Sequence, residues 1–226
     1  MIKSIAVLTF ICCSFAFLPF SAVAEQAARC HCFRDRDYDP SHKFAADEYL
    51  LISSFNSLIA ATLGVSKREI VMMKMRGGVD SDELLVALYI ADKTESRLDL
   101  LLSIHKNGGS WQDILHSPAL EEKSDSDPVL SQIKKGMEDK GIASLVADTI
   151  TAGHYHTSEA EILNLHADNF SSREIGLILA LHNEKKIPIK EIAAMYRQNK
   201  MSWSEIADSM KLTPSAVGAI IKKEDS

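Results

Sequence analysis

The chain repeats one short signature: a serine, an acid three residues later, and an aliphatic residue directly after the acid. It occurs as Ser66–Glu69–Ile70, Ser96–Asp99–Leu100, Ser110–Asp113–Ile114, Ser158–Glu161–Ile162, Ser171–Glu174–Ile175 and Ser202–Glu205–Ile206, with variants at Asp80–Glu83–Leu84 and Pro188–Glu191–Ile192. A serine so placed accepts a hydrogen bond from a free N–H of a first helical turn, and the acid reaches back to the cap. Each copy therefore predicts a helix start. The acids are thereby accounted for as caps, which removes the natural candidates for general acid or base.

The spacing groups these starts. Glu69 to Asp99 is 30 residues, and Glu161 to Glu191 is 30 again. The Asp99 to Glu161 interval is close to twice that, and Ser126-Asp127-Pro128-Val129-Leu130 begins the worn copy it calls for. Within each unit the second signature follows the first by 13 or 14 residues, so the unit is a helix pair. Val79 to Trp111 matches Phe170 to Trp203 through Ser81/Ser172, Glu83/Glu174, Ile104/Tyr196, Asn107/Asn199 and Ser110/Ser202, which reads as an internal duplication. Apolar residues three and four apart, such as Leu84, Leu85, Leu88 and Ala91, give each helix one buried stripe. Strand signals are nearly absent. The expected fold is all-α: about five tandem short helix pairs with a unit of about 30 residues, in an α-solenoid-like array or an irregular helical bundle.

The ends depart from this pattern. Lys3, the apolar run Ile5 to Phe20 and Ala22-Val23-Ala24 read as a secretory signal peptide over residues 1–24. A run of roughly 16 apolar residues broken by Pro19 is shorter than the ~20 that a spanning helix needs. The expected organisation continues with an extended Cys-His-Cys arm over 25–41, helical repeats over 42–116, a linker over 117–127 and further helical repeats over 128–226. A longer apolar helix from His42 to Leu63 is expected to cap the first unit, with Gly64 ending it. The expected location is periplasmic or secreted, with no transmembrane segment after cleavage. Without the leader, 24 basic side chains face 31 acidic ones, a balance that disfavours nucleic acid or an anionic membrane as partner.

Few motifs bear chemistry. Cys30, His31 and Cys32 offer two thiolates and an imidazole suited to Zn or Cu, or a thiol pair for redox exchange or a structural disulfide. Three ligands this close seldom complete a site, so a fourth would come from His42, His154 or His156. His154 and His156 flank Tyr155 between two expected helices, where an extended loop would aim both imidazoles the same way; solvated loop histidines are commoner. His105, His116, His166 and His182 fall in helical pattern and read as helix-end residues. Trp111 and Trp203 each follow a capping serine and read as plugs between helices, and Met72, Met73 and Met75 as packing. No phosphate-binding glycine loop, Gly-x-Ser-x-Gly elbow or His-Glu-x-x-His helix occurs.

Glu205-Ile206-Ala207, Met210, Leu212-Thr213 and Val217 resemble the helix-turn-helix of bacterial transcription regulators over about 20 residues, with Lys211 where the turn glycine usually stands. The resemblance implies a helix from Pro214 to Lys222 in a major groove, yet its outward residues Ser215, Ala216, Gly218 and Ala219 lack groups that read base edges. Asn107 to Ile114 and Asn199 to Ile206 resemble a Gly-x-Ser/Gly-Trp-x-x-Ile signature of uncharacterised secreted bacterial helical proteins, which implies an envelope location and no specific activity. The expectation is an exported, non-enzymatic module that binds or scaffolds an envelope protein. The rival is a metal or thiol-redox accessory working through the Cys-His-Cys arm.

Overall fold

Side-chain caps mark many of the helix starts, though Ala46, Arg97, Leu120, Glu138 and Pro188 begin theirs without one. The computed structural model describes residues 35–223. After a 3-10 turn at Pro40–His42, these residues form thirteen α-helices and no strand, the all-α class the signature implies. In chain order they are α1 (Asp47–Thr62), α2 (Lys67–Gly77), α3 (Ser81–Thr94), α4 (Leu98–Lys106), α5 (Trp111–Leu115), α6 (Glu121–Asp125) and α7 (Pro128–Lys134). There follow α8 (Asp139–Tyr155), α9 (Glu159–Ala167), α10 (Ser172–Lys185), α11 (Ile189–Arg197), α12 (Trp203–Ser209) and α13 (Pro214–Lys223). Both halves of the capping box form at Ser66/Glu69, Ser171/Glu174 and Ser202/Glu205. Ser110 and Ser158 accept from the amides of Asp113 and Glu161, and Asp80 from those of Asp82 and Glu83.

One signature is displaced. Ser96 does not cap α4, whose N-cap is Arg97. Glu95 takes a left-handed backbone (φ 54°) to end α3, and the Ser96 amide closes that turn on the Ala91 carbonyl. The Ser96 hydroxyl lies 2.8 Å from Thr94 Oγ1 instead of at the helix start. The register therefore moves by one, so Leu101 is 2% exposed while Leu100 is 54% exposed. The worn copy likewise begins at Asp127, whose carboxylate accepts from the Val129 and Leu130 amides, both at 2.9 Å.

The caps also set which side chain goes inward. The residue four after the N-cap is Ser124 in α6 and Ser131 in α7, but at nine other helix starts it is Ile70, Leu84, Leu101, Ile114, Ile142, Ile162, Ile175, Ile192 or Ile206, and none of these nine is more than 4% exposed. Burying each contributes about 1.5–3 kcal/mol. The residue before the cap is often apolar as well (Val65, Val79, Phe170, Ile187, Met201) and joins the same core, the pattern of a hydrophobic staple. Five of the N-caps, Ser66, Arg97, Asp127, Ser158 and Pro188, follow one another at 30 or 31 residues.

The long helices lie inside and the short ones around them. α8 packs on α1, α3 and α10, while α4, α9 and α11 lean on α3 or α10 from outside. α1 does not merely cap the first unit. It packs against α2, α8, α10, α12 and α13, and its contact with α13 is the most extensive in the molecule. The first and last described helices therefore meet, which makes the chain a closed irregular bundle rather than an open solenoid. One apolar cluster runs from Leu50 to Ile221. The linker expected at 117–127 is also built in: Leu120 joins that cluster, and α6 packs on α3 and α7. Lys123 Nζ fastens it through the Thr94 carbonyl (2.8 Å) and the Glu95 carboxylate (2.7 Å). Among the described residues no single helix is long and apolar enough to cross a membrane.

Candidate binding surface

A broad groove lies between two of the outer helices. α9 and α11 both lean on α10, so a groove of about 700 Å³ is left between them. Leu165, Phe170, Ile189 and Ala193 supply its apolar part. Glu161, Asn164 and Asp168 rise on the α9 side, and Lys190, Arg197 and Gln198 on the α11 side. Arg197 braces the rim: it donates to the Asn169 carbonyl, and its guanidinium sits 4.6 Å from the Phe170 ring centre and 5.5 Å from that of Tyr196. Asn169 offers that carbonyl from a left-handed turn (φ 60°). An apolar floor between rims of opposite charge suits a peptide segment better than a small charged metabolite.

Each tryptophan serves as a plug between helices, Trp203 behind the groove wall formed by Phe170. Trp203 is fully buried, stacks on Tyr196 at 4.2 Å, and donates its indole N–H to Glu174 Oε1 at 3.1 Å. The other oxygen of Glu174 caps α10 through the Ser171 amide and hydroxyl, so one carboxylate joins two helix starts. Burial and the nearby Glu174 carboxylate raise the Tyr196 pKa. The matching Trp111 stacks on His105 at 4.1 Å, with Glu83 3.9 Å from His105 Nε2. His105 thus stands where the other half has Tyr196, one position on from the Ile104 that sequence comparison pairs with it. His105, His166 and His182 each donate from Nδ1 to a carbonyl just past their helix, at 2.8, 2.9 and 2.7 Å, and so hold loops.

A buried cation is the least expected feature. Lys74 on α2 is buried and donates to Asn56 Oδ1 of α1 at 2.8 Å, while Asn56 Nδ2 has no partner. Burial pushes the Lys74 pKa down to about 8; Arg173 acts in the same direction, and Asp82 and Asp80 oppose it. Lys67 reaches the same face of α1, with Nζ 2.8 Å from Ser53 Oγ and 2.9 Å from Ser57 Oγ. These contacts tie α2 to α1. Neither lysine lines the α9–α11 groove.

The residues singled out for metal binding are not brought together. Cys30, His31 and Cys32, like the leader, lie outside the described residues. The extended loop expected around His154 and His156 is the end of α8: His154 and Tyr155 are helical, and His156 takes the left-handed cap (φ 49°). The alternation that would aim both imidazoles alike is therefore lost, since the helix continues through Tyr155 and the backbone reverses at His156. His154 packs edge-on against Tyr155 at 4.7 Å, and His156 is exposed. His42 bonds Asp39 at 3.2 Å. Among the described residues no group of three His, Cys, Asp or Glu side chains is arranged to hold a metal ion.

At the C-terminal segment Lys211 does adopt the left-handed turn (φ 58°) that its position in a helix-turn-helix demands. The α13 face carrying Pro214, Val217, Gly218 and Ile221 is nevertheless buried, and Gly218 sits against Ser57 of α1. Gly218, expected to face outward, thus faces the core. The α9–α11 groove itself had no sequence signal, because its walls are contributed by helices a full 30-residue interval apart. No protein-family model, curated protein or solved structure matches this chain.

Proposed function

We propose that the protein is an exported, non-enzymatic module of tandem helix pairs that binds a segment of an envelope protein in the α9–α11 groove. The groove carries the reading: its volume of about 700 Å³ admits a peptide segment, its floor is apolar, and its two rims bear opposite charges. The regular interval between N-caps supports the tandem-pair description. The leader read over residues 1–24 supports export. The acids that a hydrolytic mechanism would need are committed to caps, as at Glu69, Glu174 and Glu205.

The test is position-specific crosslinking in the living cell. A photoreactive residue at Asn164 or Lys190 captures a defined partner, whereas one at Arg68, on the far α2, does not. Ala194→Trp, which fills the groove, abolishes capture without altering the helical spectrum. Equal capture from all three positions, or capture untouched by Ala194→Trp, refutes the assignment to this groove.

A further inference from the structure

The two walls of the α9–α11 groove share one spacing. Glu161, Asn164, Leu165 and Asp168 line it from α9, and Lys190, Ala193, Ala194 and Arg197 from α11. Each set falls at positions one, four, five and eight of its run, which is a single helix face two turns long, about 11 Å. Both ends of the α9 face are acidic, both ends of the α11 face are basic, and Leu165, Ala193 and Ala194 lie between. Unlike Glu69, Glu174 and Glu205, Glu161 does not return its carboxylate to its cap. Arg197 gives an N–H to the Asn169 carbonyl, but among the described residues none of the four charged side chains forms an ion pair. The opposite charges of the walls thus stand apart, and neither wall neutralises the other.

The walls are helices, and the described residues offer no strand edge. An extended segment laid between them would bury backbone amides and carbonyls that only Asn164 and Gln198 could pair, whereas a helix pairs its own. Ala193 and Ala194 are small enough for a helix to come close to α11. We propose that the groove takes one kind of occupant, a short amphipathic α-helix of the partner, with basic side chains on the flank that meets α9 and acidic ones on the flank that meets α11. This rests on the reading of the groove as the binding surface. Exposed ion pairs contribute little each, so the charges choose the helix more than they hold it.

The probes are synthetic peptides of about twelve residues, just over three helical turns, stapled as helices with one apolar stripe. Their flanks are basic on one side and acidic on the other, basic on both, or acidic on both. Titrated at low salt into the chain from Glu25 onward, which contains every described helix, the mixed peptide binds at least about fivefold tighter than either uniform one. Glu161→Lys combined with Asp168→Lys makes both walls basic, so the preference passes to the doubly acidic peptide while the helical spectrum stays unchanged. An unstapled mixed peptide with proline at its centre does not bind. Three peptides that bind alike or not at all, a preference that fails to pass, or a proline peptide that binds equally well overturns the helix. Crosslinking from Asn164 tells this failure from that of the groove itself. A captured segment without such a stripe removes the helix and leaves the groove, whereas no capture from Asn164 or Lys190 removes both.

Discussion

Asp47 Oδ1 accepts two hydrogen bonds from Ser204, 2.8 Å from the amide and 2.7 Å from the hydroxyl, although 157 positions separate the two residues. Its second oxygen accepts from the Trp203 amide at 3.0 Å. A carboxylate at the start of α1 thus satisfies the first two amides of α12, which Ser202 cannot reach while bonding the Glu205 amide. Charge-assisted bonds of this kind contribute more than neutral ones. Asp47→Ala is expected to cost about 2–3 kcal/mol, read as a lower urea midpoint with an unchanged slope.

Glu174 and Glu83 occupy matching positions but carry different loads. Glu174 bonds Trp203 and its own cap Ser171, through both the amide and the hydroxyl of the serine, whereas Glu83 makes one long contact with His105. Glu174→Ala should cost about 2 kcal/mol and Glu83→Ala under about 1 kcal/mol. Near-ultraviolet circular dichroism separates the two, since only the first frees a tryptophan N–H.

Lys74 makes stability depend on alkaline pH. Its pKa falls from 10.5 to about 8 on folding, so between these values the unfolded chain holds a proton that the folded one has released. Stability attributable to this group therefore rises with pH from about 8 to 10.5 and is at its lowest, and constant, below 8. Lys74→Met combined with Asn56→Leu removes the buried charge without leaving an unpaired amide and should stabilise the protein by about 1–2 kcal/mol at neutral pH. The gain disappears by pH 10.5, as urea titrations of both chains across this range will register.

Several tight turns are held by side-chain-bearing residues in left-handed backbone, among them Lys186 (φ 57°), Lys200 (φ 57°) and Lys211 (φ 58°). A Cβ in this region is strained, and glycine is not. Lys186→Gly and Lys211→Gly should each raise stability by about 0.5–1 kcal/mol, seen as a higher melting temperature. Glycine at Lys200 is the less informative variant, because its carbonyl also receives Lys43 at 2.9 Å.

Gly218 answers to the opposite constraint. A Cβ there would stand 3.0 Å from Ser57 Oγ and 3.2 Å from Lys67 Nζ, so α13 could not lie as close to α1. Gly218→Ala is expected to cost about 1–2 kcal/mol, with Ser57→Ala recovering part of it. Thermal melts of the two single variants and the double variant measure the coupling.

The helix starts were legible because a cap is a local event: Ser66, Ser110, Ser158, Ser171 and Ser202 bond amides within three residues of themselves. Ser96 misled because its own surroundings offered a second use for it, the turn that ends α3. α1 was harder to place. Ser53, Ser54, Asn56 and Ser57 look like a solvated face, yet all are buried. Ser54 and Ser57 return their hydroxyls to carbonyls four residues back, and Lys74 and Lys67 answer Asn56 and the serines. Such partners come from other helices, and no spacing announces them. The groove was invisible for the same reason, and Leu100 became exposed on α4 only once the cap had shifted by one.

The meeting of α1 with α13 also fixes an order of events in the life of the chain. Among the described helices, the one that organises the centre is made well before the one that covers it, Pro214–Lys223. Until α13 has emerged, Ser57 and the α1 face around it have no lid, so the nascent bundle cannot lock its core. The bundle therefore stays open, and available to chaperones or to threading through a pore, until α13 arrives.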